Sequence, residues 1–132
     1  KKYEQENNDD VRITLSDIYS RLGKDEDFDF MQTALSRSSG LETYLVVQNF
    51  QTYLNLCSPQ VIQNGCEVMV SETKSETTKL VKNQMINSLT LVKKDINTRL
   101  KEYGDKAEYF ADVTKLRKTV EYIDRSLAEI RK

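Results

Sequence analysis

The two cysteines are the residues whose type and spacing most clearly suggest chemistry. Cys57 and Cys66 stand nine positions apart. In one continuous helix their Cα atoms would lie about 13 Å apart, whereas a disulfide requires a separation below about 7 Å. Pro59 and Gly65 stand between them and favour a bend, with Ser58 as the N-cap of a short turn that Gly65 ends. We therefore predict a Cys57–Cys66 disulfide and an oxidising environment. Two small buried thiols in a reduced protein are the alternative.

The remaining residue types restrict the chemistry further. The sequence contains no His, which removes the commonest general base and the usual zinc ligand. Asp25, Asp27 and Asp29 alternate as at the start of a calcium loop, but Phe30 stands where such a loop needs Gly. Helix capping explains these acids better. The sequence also lacks a Gly-rich phosphate loop and a nucleophile elbow. We predict a protein that is not an enzyme and that binds neither a metal ion nor a cofactor.

Aromatic and basic side chains near the C-terminus are the best candidates for contact with a partner protein. Phe110 and Tyr122 lie off the main apolar seam of the last predicted helix, where they could form a second buried face or an exposed contact surface. The basic residues there could be a solvated face, because Glu121 can pair with Arg125 at i,i+4, or a docking patch. The segment 67–79 is a second candidate; it begins apolar and continues as a polar run at 71–79 that could be an exposed helix or a loop. The predicted partner-binding residues are Phe110, Arg117, Lys118, Tyr122 and Arg125.

Hydrophobic periodicity predicts the elements that position these residues. In the stretch 105–131, apolar residues recur at steps of four and three, as in a heptad seam; they are Tyr109, Val113, Leu116, Val120, Ile123, Leu127 and Ile130. Gly104 ends the helix before it, and Asp105 with Glu108 can form a capping box. That preceding helix carries a similar seam from Leu80 to Tyr103. The sequence therefore predicts a long antiparallel hairpin at the C-terminus.

Three shorter helices are predicted upstream of the hairpin. The first buries Val11, Leu15, Ile18 and Leu22 and stops at Gly23; the second follows the acidic residues 24–29 and ends at Gly40. The third covers 41–56 and is apolar nearly all round, which is typical of a central helix. Residues 1–10 are polar and mixed in charge, so we expect a disordered lead-in before one domain at 11–132. The fold class is all-α, a compact bundle of about five helices.

Composition supports this fold and narrows the class of partner. A chain of 132 residues is long enough for one core, and four Gly with one Pro are few for a sheet protein. The net charge of −1 lacks the basic excess of a nucleic-acid binder. No apolar run approaches the ~18 residues of a membrane span. The chain begins at Lys1, from which we expect a mature or excised form.

Three segments of the first half carry a resemblance to a known family. After the polar lead-in come DDVRITLSDIYSRL at 9–22, MQTALSRSS at 31–39 and VIQNGC at 61–66. In order and spacing they resemble mosquito salivary proteins of the aegyptin and anopheline antiplatelet type, where an acidic low-complexity region precedes a helical domain. The chain departs from those domains in having fewer cysteines, with none in 67–132. The resemblance implies a secreted protein that binds a host haemostatic or complement component, and it implies no catalytic residue.

These observations favour a non-enzymatic, extracellular, monomeric protein that binds another protein and blocks it sterically. One alternative is an intracellular scaffold or adaptor domain whose C-terminal heptad helix pairs with a helix of another chain. Another is a carrier that holds an apolar ligand inside the bundle.

Overall fold

A computed structural model of the chain describes residues 9–132, and these residues form six α-helices with no strand. The predicted all-α bundle is therefore confirmed, with one helix more than expected. No helix in 9–132 combines the length and the apolarity needed to cross a membrane. The helices are α1 (Asp9–Leu22), α2 (Phe28–Arg37), α3 (Leu41–Leu56), α4 (Pro59–Ser75), α5 (Lys79–Tyr103) and α6 (Phe110–Ile130), with 3-10 turns at Asp25–Asp27 and Ala107–Tyr109.

The start of α1 differs from the predicted lead-in. Asp9 and Asp10 are already helical, and the carboxylate of Asp10 lies in the first turn, where a negative charge favours the helix dipole. Residues 1–8 of the predicted lead-in lie outside the described residues.

The long C-terminal hairpin is present. Tyr103 at the end of α5 stacks on Tyr109 with ring centroids 4.6 Å apart, and Lys93 in the middle of α5 pairs with Asp124 in the second half of α6. The two helices therefore run antiparallel. Gly104 ends α5 with a φ of +57°, a conformation that costs glycine little. The predicted capping box does not form, because a 3-10 turn intervenes and α6 begins only at Phe110.

Helices α3 to α6 form a four-helix arrangement in which alternate helices run parallel. Arg99, late in α5, donates hydrogen bonds to the carbonyl oxygens of Asn55 (2.6 Å) and Cys57 (2.9 Å) at the end of α3. The last carbonyl groups of a helix have no hydrogen-bond partner within that helix. The guanidinium of Arg99 therefore satisfies carbonyl groups at the C-terminus of α3. The prediction of a central α3 is confirmed, because it contacts α1, α2, α4 and α5.

The buried face of α1 is not the predicted one. Ile18 and Leu22 are 46% and 54% exposed, whereas Ser16, Tyr19 and Ser20 are buried. The hydroxyl of Ser16 donates to the carbonyl of Ile13 and accepts a 2.8 Å hydrogen bond from the amide of Asn49 in α3. The hydroxyl of Ser20 donates to the carbonyl of Asp17. Small serine side chains with satisfied hydroxyls are therefore buried in α1, while the larger Ile18 and Leu22 remain exposed.

Helix α4 is continuous, and this overturns the prediction that a short turn ends at Gly65. Ser58 caps it and Pro59 is its first residue, as predicted, but Gly65 lies inside the helix and does not end it. A Cβ atom at Gly65 would come within 2.3 Å of a Leu54 methyl group, so the glycine lets α3 and α4 approach closely. Segment 67–79 is helical to Ser75, and a short break at 76–78 leads into α5.

The continuity of α4 also separates the two cysteines, so the predicted disulfide is wrong. Cys57 ends α3 before the cap of α4, and Cys66 follows after two helical turns, a rise of about 12 Å. Both thiols are free and buried. Burial raises the pKa of Cys57 to about 11 and that of Cys66 to about 12.

Candidate functional site

A groove between α4 and α6 is the strongest candidate site. The two helices run side by side in the same direction, since Lys115 donates to the side-chain oxygen of Gln60 at one end and Lys74 pairs with Glu129 at 3.0 Å at the other. Between these links, polar side chains line a surface hollow. We call it the α4/α6 groove; its residues are Gln63 and Glu67 of α4 and Lys118, Glu121, Tyr122 and Arg125 of α6.

Helical spacing places these side chains together. On α6 the groove residues stand at positions i, i+3, i+4 and i+7, which form one strip on a helix surface. This strip borders the buried strip that contains Leu116, Ile123 and Leu127. On α4, Gln63 and Glu67 are one turn apart. The groove is therefore the solvent-facing seam of a contact whose inner side belongs to the hydrophobic core.

The groove combines charges of both signs with one anchored aromatic ring. Lys118, Glu121 and Arg125 are exposed, as is Glu67 across the groove. Tyr122 is half-buried and packs against the core. Beyond the groove, near the C-terminal ends of the two helices, the hydrogen bond from the Lys74 ammonium lowers the pKa of Glu129 below its ordinary value. A ring held against the core can contribute apolar area and a hydroxyl to a contact, and the mixed charges fix which charges a partner must present.

The predicted partner-binding residues occupy two places on the molecule. Lys118, Tyr122 and Arg125 come together in the α4/α6 groove. Phe110 and Arg117 lie instead at a hollow beside the turn between α5 and α6, where Phe110 is 73% exposed. The five residues thus share one helix without forming one site.

Sequence reasoning missed the contribution of α4 to the groove. Glu67 is the first residue of the candidate segment 67–79. Gln63 lies in the interval between the cysteines, where the sequence predicts a bend and therefore no exposed helical strip. Read as a helix, the same interval places Gln60, Gln63 and Glu67 at i, i+3 and i+7, and this spacing would have indicated an exposed strip.

The acids of the turn before α2 have a structural role. The Asp25 carboxylate accepts a 2.9 Å hydrogen bond from the backbone N–H of Ser58, and the Tyr53 hydroxyl donates to the carbonyl of Lys24 at 2.6 Å. These bonds tie the turn to the start of α4 and to α3. Across residues 9–132, no three His, Cys, Asp or Glu side chains are grouped so that they could hold a metal ion.

No family model, curated protein or solved structure matches this chain.

Proposed function

We propose that this protein is a non-enzymatic binding module that occupies the surface of another protein with its α4/α6 groove and blocks that surface sterically. The observation that supports the proposal is the convergence of Lys118, Tyr122 and Arg125 with Glu67 on one surface. Tyrosine and arginine are enriched among the residues that dominate binding energy at protein interfaces.

The construction of the groove suits this task. Tyr122 packs against the core, so its ring loses little conformational entropy when a partner covers it. Lys118 and Arg125 flank it one turn away on either side, and Glu67 faces them from α4. Both walls are helices of a packed bundle, which makes the surface rigid. Steric blockade needs such a preformed surface and no moving part.

The class of partner comes from the resemblance described above. It implies a host haemostatic or complement component, and we include such a factor and an extracellular location in the proposal. Because both cysteines are free, the location rests on that resemblance alone.

The alternative functions have less support in the structure. Leu116 and Ile123 of the heptad seam are fully buried and Leu127 is 5% exposed, so these residues already pack inside their own chain. They would have to leave the core to pair with another helix. A ligand carrier needs an open interior, but the apolar hollow beside Leu54 and Ile62 holds no more than about one water-sized sphere.

A site-specific photo-crosslinking experiment tests the proposal. A photoreactive phenylalanine analogue replaces Tyr122 in one variant and Thr98, an exposed residue of α5, in the control. Each is irradiated in blood plasma, and crosslinked proteins are identified by mass spectrometry. We expect one partner to crosslink from position 122 and not from 98. With that partner purified, Arg125→Glu should weaken binding about tenfold or more. Equal crosslinking from both positions, or an unchanged affinity of Arg125→Glu, would refute the proposal.

A further inference from the structure

A second surface differs from the rest of the molecule in lacking charge. Charged residues make up 31% of the chain, yet residues 43–66 contain none, and residues 83–92 contain none either. The first stretch covers nearly all of α3 and the start of α4, and the second covers the first half of α5 beyond its first turn. Depletion of charge is the compositional signal of the central part of a protein interface.

The fold brings the two uncharged stretches together. Between the parallel helices α3 and α5 lies an open groove lined by carboxamide, hydroxyl and leucine side chains. We call it the uncharged face; its residues are Gln48, Gln51 and Thr52 of α3 and Gln84, Asn87, Ser88, Thr90 and Leu91 of α5. This face lies on different helices from the α4/α6 groove.

Exposed leucines extend this surface. Leu91 is 44% exposed within the groove. Leu45 stands one turn before Gln48 on α3 and is 47% exposed, and Leu80 stands one turn before Gln84 on α5 and is 61% exposed. Residues one turn apart share a helix face, so each leucine continues a lining strip. Large exposed apolar side chains around a groove are typical of a surface that another molecule covers.

Ser88 supplies a separate observation at the same place. The residue is 1% exposed and lines the groove, and within residues 9–132 its hydroxyl has no hydrogen-bond partner. A buried hydroxyl without a partner destabilises the folded protein, because it has given up its hydrogen bonds to water. The uncharged face therefore retains unused hydrogen-bonding capacity at its floor.

We propose that the uncharged face binds the same face of a second copy of this chain, related by a two-fold axis. In a two-fold interface the patch of one copy meets the same patch of the other, and a patch with charges of one sign would oppose like charges. Carboxamides instead carry both a donor and an acceptor, so Gln48, Gln51, Gln84 and Asn87 can pair with carboxamides of the second copy. The leucines of the two copies can likewise pack against each other. A partner with charged side chains would have to bury them without counter-charges.

The size of the face determines how strong the dimer can be. Helix α3 has 16 residues and is about 24 Å long, and packed helices lie about 8–10 Å apart. A two-helix face of this length covers roughly 400–500 Å² per copy, which is at the low end for specific complexes. We expect a monomer at about 1 µM and a growing dimer fraction at hundreds of µM. The monomer that the sequence predicts is then the form present in dilute solution, and the dimer forms only at high protein concentration.

Sedimentation velocity across this concentration range, at low and at high salt, tests the proposal. The mass should rise from 15.3 kDa toward twice that value, equally in both salts, because screening acts on charges and this face has none. A mass of one chain at every concentration would overturn the proposal, and so would association that high salt abolishes.

Charge substitutions at Gln48 locate the interface. Gln48 is exposed and lies at the middle of α3, so neither Gln48→Lys nor Gln48→Glu should change the melting temperature. Each should weaken self-association about tenfold or more, because like charges then meet near the two-fold axis. An equimolar mixture of the two variants should associate again. The control is Asn97→Lys, which places the same charge on an exposed position of α5 outside the groove. Association unaffected by the Gln48 substitutions, or equally weakened by Asn97→Lys, would overturn the proposal.

Discussion

At the scale of single residues, polar side chains connect the helices more than the pattern of apolar residues suggests. Asp25 holds the cap of α4 through the N–H of Ser58, Ser16 joins α1 to α3 through Asn49, and Arg99 closes the end of α3 from α5. Each bond joins residues at least 33 positions apart in the chain. Such bonds have a net value of about 1 kcal/mol each, and more where a charged group takes part. They fix how the helices are arranged.

The buried thiol of Cys66 makes a prediction about alkaline stability. Its pKa is raised to about 12 in the folded protein because burial disfavours the thiolate, whereas an unfolded thiol titrates near 8.5. Below the pKa of the unfolded thiol, Cys66 is protonated in both states and does not make stability depend on pH. Between about pH 9 and 12 the thiol ionises only in the unfolded protein, so the unfolding free energy falls as the pH rises. We expect Cys66→Ala to reduce the loss of unfolding free energy by about 1.4 kcal/mol per pH unit in that window.

Urea titrations at several pH values from 7 upward would measure this slope. Burial also raises the pKa of Tyr53, and this contribution is the same in the wild type and in Cys66→Ala. The difference between the two slopes therefore reports on Cys66. Equal slopes for the two proteins would contradict the prediction.

A second measurement tests the redox state of the cysteines. Mass spectrometry after denaturing alkylation without reductant should find two labels per chain. An unlabelled chain would show that the two thiols had formed a disulfide.

At the scale of elements, the close contact between α3 and α4 depends on Gly65. Helix propensity alone predicts that Gly65→Ala stabilises α4 by about 1 kcal/mol. The added methyl group would collide with Leu54, which is itself fully buried, and overpacking costs about 1–3 kcal/mol. We therefore expect a net loss of about 1 kcal/mol in unfolding free energy, measured by urea denaturation.

Two further variants separate the collision from helix propensity. Asn64→Ala makes a comparable change one position earlier, at a site that is only half-buried, and should be neutral or stabilising. Against a Leu54→Ala background, Gly65→Ala should become stabilising, because the void left by the leucine accommodates the new methyl group. A stabilising effect of Gly65→Ala in the wild-type background would show that Leu54 moves aside freely.

At the scale of the whole molecule, the heptad seam of α6 is part of the chain's own core. Ile123 is fully buried, so Ile123→Ala should lower the unfolding free energy by about 2–5 kcal/mol. The mass at about 1 µM should stay that of one chain, since these seam residues pack within their own chain. Denaturant unfolding and sedimentation of the same sample measure both quantities.

Asp124 provides the control for this variant. It neighbours Ile123 but is exposed and pairs with Lys93 at the surface, so Asp124→Ala should cost no more than about 1 kcal/mol. If Ile123→Ala left stability unchanged and instead dissociated a stable oligomer, the seam would be an intermolecular interface. The scaffold function would then replace the proposed one.

Local patterns in the sequence are sufficient to predict the class of fold and most helix boundaries. Periodicity and the glycines at 23, 40 and 104 mark helix ends correctly. The heptad seam contains the buried apolar residues of α6, but it does not predict that Thr119 and Ser126 are buried as well. These features are local, since capping, propensity and spacing act within a few residues. They also placed Lys118, Tyr122 and Arg125 on a surface strip of one helix.

Which surfaces meet depends instead on how the helices pack in three dimensions. Gly65 resembles a helix end in the sequence but lies within a helix, where Leu54 of α3 occupies the space that a Cβ atom would take. Gln63 and Glu67 join α6, and the uncharged stretches of α3 and α5 form one face, only because the bundle sets those helices side by side. Such contacts depend on packing between residues that are far apart in the sequence, so local patterns do not predict them. The two cysteines remain free because the uninterrupted helix α4 keeps their thiols apart.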